Sequence, residues 1–343
     1  IDTTKHINVR HMKWMDDCTI VHIPKSKTDQ AGLKTTNDKH VFANPLVPAI
    51  CPILALGLYF AIFVVNPVYD DEGVLQYPKL FEGSHQAGRF AATLKRVLEE
   101  LIDSDAGMAL LIPLLTAIGG HSIRKGSFSF ASNSTTAGPS HGTVLIRGNW
   151  SGGMIDRYNH AERSGDSFIG RILAGLPIFK PEFATEAPQF REGHLPAVAV
   201  LRQAFGNWVE FPELVPILHH CLASLLHHEN FLRQNLPADH PLFTTNTLYS
   251  NNNVVTQLKQ HVFIPPILGA DDNEKTGIPP HVILLHRMDS LSEQVTDNLA
   301  NGGNNPHQQI QQQIIDNHNE MMAALQANIN NNNNNDNNDN NDN

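Results

Sequence analysis

A chain of 343 residues with 41% apolar side chains can bury a core over most of its length, which excludes a wholly disordered protein. Its formal charge of −10 argues against a nucleic-acid binder until it is divided: residues 1–180 hold 18 Lys+Arg against 16 Asp+Glu, net +2, and residues 181–343 hold 6 against 18, net −12. DNA contact by the first part is thus permitted without being demanded, and three widely separated cysteines, Cys18, Cys51 and Cys221, speak against a disulfide framework or a four-thiolate zinc site and for a reducing compartment.

The chain opens on Ile1, without Met and without a charged-then-apolar leader, and so reads as a truncated reading frame that is not secreted. The runs "HINV", "TIVHI" and "HVFA" alternate with polar turns and predict a small antiparallel sheet, from which the loop "PKSKTDQAG" projects. Residues 46–65, "LVPAICPILALGLYFAIFVV", are uncharged over the length of a membrane span. Pro48 and Pro52 break the first third and no basic cluster flanks it, so a buried helix is the expectation over a membrane segment. From Ser84, a cap candidate, to Asp103 the positions Phe90, Leu94, Val97, Leu98 and Leu101 repeat at helical spacing and predict an amphipathic helix. An apolar element broken by Pro113 follows, and Gly119–Gly120 delivers the chain to His121.

Residues 121–158, "HSIRKGSFSFASNSTTAGPSHGTVLIRGNWSGGMIDRY", hold the residue types that metal-free phosphodiester cleavage requires. Tyr158 is a nucleophile, Arg124 a forked donor to two phosphate oxygens, and His121, three residues earlier on a helix, faces the same way. Trp150 offers an indole N–H, and Lys27 or Lys25 in the hairpin loop a proton for the departing oxygen. Residue by residue there are plainer readings: His121 and Arg124 also suit a solvated helix start, and Trp150 a core position.

The order of hairpin lysine, H-x-x-R at a helix start, then Trp shortly before Tyr resembles the catalytic domain of tyrosine (phage-integrase-like) recombinases. More narrowly, "HSIRKG", "RGNWSGGMIDRY", "HAERSGDSFIGRILAGLP", "KSKTDQ" and "VFANP…CPILALGLYF" are similar to Crypton-like, transposon-derived recombinases of diatoms and oomycetes, over residues 5–180 and more weakly beyond. The resemblance implies a mainly α fold with a small antiparallel sheet and DNA cleavage and rejoining through a 3′-phosphotyrosyl link on Tyr158. It makes Arg124 the stabiliser of the pentacoordinate phosphate, His121 and Trp150 helpers at its oxygens, and Lys27, with Lys25 as fallback, the leaving-group acid. Neither metal nor cofactor is implied; duplex DNA is the partner, with further copies of the chain on it, in the nucleus and with no membrane. The family's further arginine before the hairpin has no counterpart, since Arg10 does not match its motif. Trp150 and Tyr158 are eight apart where nine is usual, so catalysis is expected to be impaired.

Three proline positions, 177, 181 and 188, bracket a boundary near residue 180, with a smaller helical domain expected over 181–300 and a disordered Asn/Gln/Asp-rich tail over 301–343. The doublets His219–His220 and His227–His228 are two helical turns apart, roughly 12 Å, too far for one zinc ion, and read as a partly packed, solvated face. The alternative function is a non-enzymatic, domesticated DNA-binding protein that keeps the recombinase fold.

Overall fold

The computed structural model describes residues 6–24, 38–104, 118–148, 150, 163–266 and 276–300, with Gln312, Ile314, Asp316 and Asn317, all four helical, from the C-terminal region. Within these the chain is mostly helical around a small antiparallel sheet, the expected α+β class. Strands β1 (Met12–Met15), β2 (Cys18–Val21) and β3 (Lys39–Phe42) pair in that order, Met12 opposite Val21 and Cys18 opposite Phe42. The first strand lies later than "HINV" suggested. Asn8 N–H donates to the His11 ring at 3.1 Å and closes a one-turn 3-10 helix over Val9–His11, leaving Asn8 only an isolated bridge to Lys79.

The uncharged run divides as its prolines demand. A 3-10 turn, Pro48–Ile50, precedes helix α1 (Pro52–Ile62), whose Ile53, Leu54 and Phe60 are buried. Each such side chain contributes roughly 1.5–3 kcal/mol. Among the described residues no helix is long and apolar enough to cross a membrane.

A β-ladder of two residues per strand, β4 (Val68–Tyr69) and β5 (Leu75–Gln76), leads to α2 (Gln86–Ser104). The helix starts two residues after Ser84, because the Gln86 side chain turns back onto the carbonyls of Phe81 and Glu82. Its periodicity was legible, yet none of its described side chains is buried, and Phe90, Val97 and Leu101 are exposed. Helices α3 (Gly120–Asn133), α4 (His141–Arg147) and α5 (Arg163–Leu173) follow. Helix α5 lies against β3 so closely that a Cβ on Gly170 would stand 2.5 Å from the His40 carbonyl oxygen.

Beyond β6 (Gln189–Phe190) come α6 (Val198–Phe205), α7 (Val215–His227), α8 (Glu229–Asn235), α9 (Pro241–Thr244) and α10 (Asn252–Lys259). Strand β7 (Val262–Phe263) pairs antiparallel with β6, and α11 (Pro280–Ala300) ends the series. The boundary expected near residue 180 does not divide the core. One apolar cluster joins Val9, Leu54 and Phe60 to Trp208, Leu218 and Leu225, with α1 packed along α7. The reason lies partly at the end of α1, where the Phe63 N–H answers only Tyr59 O and the carbonyls beyond it take distant donors. The Asn246 amide donates to Ala61 O at 3.1 Å and Ala204 O at 2.7 Å, and the Trp208 indole to Phe63 O at 2.7 Å. A second cluster joins Ile20 and Phe42 of the sheet to Ala131, Val144, Ile169 and Phe183, and to Val282 of α11.

The histidine doublets are more packed than expected. His220 stacks on Trp14 at 3.6 Å, and His228 is buried with its Nε2 unpartnered among the described residues, while His227 is exposed. Burial pushes both His220 and His228 down to about 4, the latter helped by His227. Above about pH 6.5 these rings are neutral in the folded and unfolded chain alike. As pH falls toward 4 only the unfolded chain takes up protons, so stability is lost across that window, for His220 approaching 1.4 kcal/mol per pH unit. The melting midpoint followed by circular dichroism is expected to fall steadily from pH 6.5 to 4, and His220→Phe, which keeps the stack without a titrating ring, to make that fall shallower. Asn246→Ala should lower stability by about 1–3 kcal/mol at pH 7 in the same measurement, because two buried carbonyls lose their donor.

Candidate active site

Helix α3 begins where Gly119, extended and without a side chain, gives its N–H to Ser122 Oγ at 3.2 Å. His121 and Arg124 then fall one turn apart, both exposed. Ser140 caps α4 by accepting from the Thr143 N–H, and after Gly148 the Trp150 N–H bonds back to Leu145 O at 3.0 Å, fixing the indole beside α3. The Arg124 guanidinium lies over that indole, 5.1 Å from the ring centre, and donates to Gly148 O. Phe128, one turn further along α3, also meets the indole, at 4.7 Å between ring centres. Two of the sequence candidates, Arg124 and Trp150, are thus in contact, and His121 stands on the same helix one turn before them. Tyr158, Lys27 and Lys25 lie outside the described residues.

Gly148 is required by this geometry. A Cβ there would sit 2.8 Å from Trp150 Cε3, with 2.9 Å to Cδ2. Any larger residue obliges the indole or the backbone to shift.

Behind the pair lies a buried ionic hub that the sequence did not disclose. Asp166 of α5 accepts on one oxygen from the His40 backbone N–H at 2.8 Å, from the His40 ring at 2.8 Å and from Arg147 Nη1 at 2.6 Å. Arg147 also donates to Asp166 O and, through Nη2 at 3.0 Å, to His40 O. Burial alone would raise the Asp166 carboxyl; the His40 hydrogen bonds and the Arg147 charge overcome it and hold the group below the usual carboxylate range. Lys39, next to His40 on β3, is 7% exposed, and its Nζ has no hydrogen-bond partner among the described residues. Nothing in "NDKHVF" distinguishes Lys39 and His40 from a solvated strand face; only the packing of α5 on β3 buries both.

An apolar cavity of about 530 Å³ lies elsewhere, between the end of α1 and the start of α2, lined by Tyr59, Phe63, Phe81, Phe90 and Trp208. It contains none of the candidates. No protein-family model, curated protein or solved structure matches the chain.

Two substitutions test this arrangement. Asp166→Ala leaves the Arg147 cation buried without its carboxylate and is expected to cost about 3–5 kcal/mol in urea unfolding. Gly148→Ala should cost less, about 1–3 kcal/mol, and should red-shift tryptophan emission as Trp150 leaves its place against Arg124 and Phe128.

Proposed function

We propose that residues 1–180 form a site for transferring DNA strands, in which Arg124 holds the phosphate, the Trp150 indole and His121 assist at its oxygens, Lys27 supplies a proton and Tyr158 is the nucleophile. The observation that carries the reading is the contact of Arg124 with Trp150, with His121 one helical turn before it. Residues that are 26 positions apart in sequence, and that the motif order grouped as one phosphate site, are neighbours in space. Arg124 presents a fork of donors suited to two oxygens, and Trp150 a single donor. The nucleus is the matching location, and copies of the chain on one duplex the matching assembly.

The second reading, a DNA-binding protein without strand cleavage, is favoured by the spacing of Trp150 and Tyr158, eight apart where nine is usual in the family that the motif order resembles. The two readings share the DNA and differ only in the covalent step.

Anisotropy of a labelled duplex should report binding that weakens steeply with salt, and Arg124→Ala should weaken it about tenfold at fixed salt. No binding at low salt, or binding indifferent to Arg124, would overturn both readings. A nicked duplex then separates them on a denaturing gel. A covalent species that Tyr158→Phe removes while binding persists establishes strand transfer, and its absence with binding intact selects the non-enzymatic reading.

A further inference from the structure

Helix α2 is a long helix whose apolar face the described fold does not cover. Within Gln86–Ser104 the side chains Phe90, Leu94, Val97 and Leu101 recur at steps of four, three and four, the spacing of a coiled-coil seam. Such a seam is ordinarily buried against another helix. Here Phe90 is 42% exposed, Val97 47% and Leu101 44%, with Leu94 half-buried between them. Helical periodicity sets these side chains along one face, so the exposure is a continuous stripe rather than scattered residues. At its N-terminal end the stripe meets the apolar cavity, of which Phe90 is a wall, beside the exposed Phe63 and Val64 that follow α1.

The charges of the helix say what covers that stripe. Up to Arg96 it carries Arg89, Lys95 and Arg96 and no carboxylate; from Val97 onward it carries Glu99, Glu100 and Asp103 and no cation. Lys95 pairs with Glu99 at 3.6 Å and Arg96 with Glu100 at 3.7 Å, both within the helix. Towards the two ends, Arg89 and Asp103 have no ion pair among the described residues, and Arg89 donates to the Glu82 carbonyl at 3.3 Å. A second α2 running parallel would set cation against cation and carboxylate against carboxylate. Running antiparallel, about a two-fold axis between Lys95 and Arg96, it puts Phe90 opposite Leu101 and Leu94 opposite Val97, and carries the acidic end of each helix to the basic end of the other. Arg89, Arg96 and Asp103 are seven apart and therefore share one flank of the seam, with Glu100 next to them. On that flank Arg89 of one copy stands beside Asp103 and Glu100 of the other, while Arg96, near the axis, is answered within its own helix.

We propose that α2 is a self-association surface, through which two copies of the chain pair by antiparallel α2 helices, with Phe90, Leu94, Val97 and Leu101 in the seam and Arg89 of each against the acidic end of the other. The two-fold axis makes each of these contacts twice. The helix has 19 residues, a length of about 28 Å, so the contact is small and the pairing reversible rather than permanent. It is independent of the strand-transfer reading, because it uses none of the residues of that site and forms without DNA.

Sedimentation equilibrium of the full chain without DNA tests this, with circular dichroism of each variant as the control on folding. The wild type is expected to show a monomer–dimer equilibrium. Val97→Glu sets a carboxylate in the seam of both copies and should weaken pairing at least about tenfold, with the melting midpoint of the monomer unchanged because Val97 is exposed. Arg89→Glu should weaken it about tenfold, as attractions across both ends become repulsions, and adding Asp103→Arg should recover most of that loss. Both changes suit the helix dipole, an acid near the start and a base near the end, so the weakening in the single variant is not a loss of helix. A wild type that stays monomeric up to about 1 mM overturns the proposal. Self-association undiminished in Val97→Glu overturns it as well, by placing the contact elsewhere on the chain. In a parallel pair like faces like before and after either charge change, so a dimer indifferent to Arg89→Glu, or one that Asp103→Arg fails to restore, overturns the antiparallel arrangement.

Discussion

The carboxylate of Asp166 is the interaction on which the arrangement depends. One oxygen takes three donors from two elements, the backbone and ring of His40 on β3 and the guanidinium of Arg147 at the end of α4, while its own backbone belongs to α5. Buried ion pairs are not in general a source of net stability, since desolvation offsets their attraction. Their effect here is positional. Arg147 can be buried only where Asp166 is, and the residues that follow it, Gly148 and Trp150, carry the two contacts that hold Arg124. A carboxylate inside the second core thereby sets the place of a guanidinium at the surface.

The same logic of satisfying buried groups explains why the chain is not two independent halves. Helix α1 is apolar on nearly every side and ends without a basic residue or glycine to answer its last carbonyls. Its partners are Trp208 and Asn246, about 145 and 185 residues further on. On the other side of the sheet, Arg171 of α5 is almost wholly buried, pairs with Asp17 in the β1–β2 turn and lies over the Phe42 ring at 4.3 Å. The close approach that Gly170 allows and the charge that Arg171 carries inward are neighbouring residues of one helix face serving one contact, that of α5 with the sheet.

How much of this was legible follows from the range of the interactions. The α+β class, the buried helix behind Pro52 and the α2 periodicity come from local pattern, and local pattern reported them with errors of a few residues. The first strand was misplaced because a side-chain hydrogen bond three residues long, Asn8 to His11, competes with strand pairing, and alternation cannot see it. The neighbourhood of Arg124 and Trp150 was readable as a motif in order, though not as geometry. Lys39, Arg147 and Asp166 were unreadable for a definite reason: the contacts that give them meaning span 19 to 126 residues, and each residue alone is an ordinary charge on an ordinary element.

Net charge is an equally poor guide to what the site attracts. The chain carries −10, the sum of +2 up to residue 180 and −12 beyond it, where solvent and salt screen the charge over about 8–10 Å. Around Asp166 the cations of Arg147 and Lys39 face one carboxylate with much less water between them, and a charge in that setting acts more strongly than several on the far surface. The lowered Lys39 value records burial first; Asp166 and Asp38 pull it back up, and Arg147 and Arg124 push it down with less effect than the carboxylates. That order matters for the chemistry. A lysine depressed mainly by neighbouring cations regains its proton affinity when an anion neutralises them. One depressed mainly by burial regains it only if the ammonium also finds an acceptor.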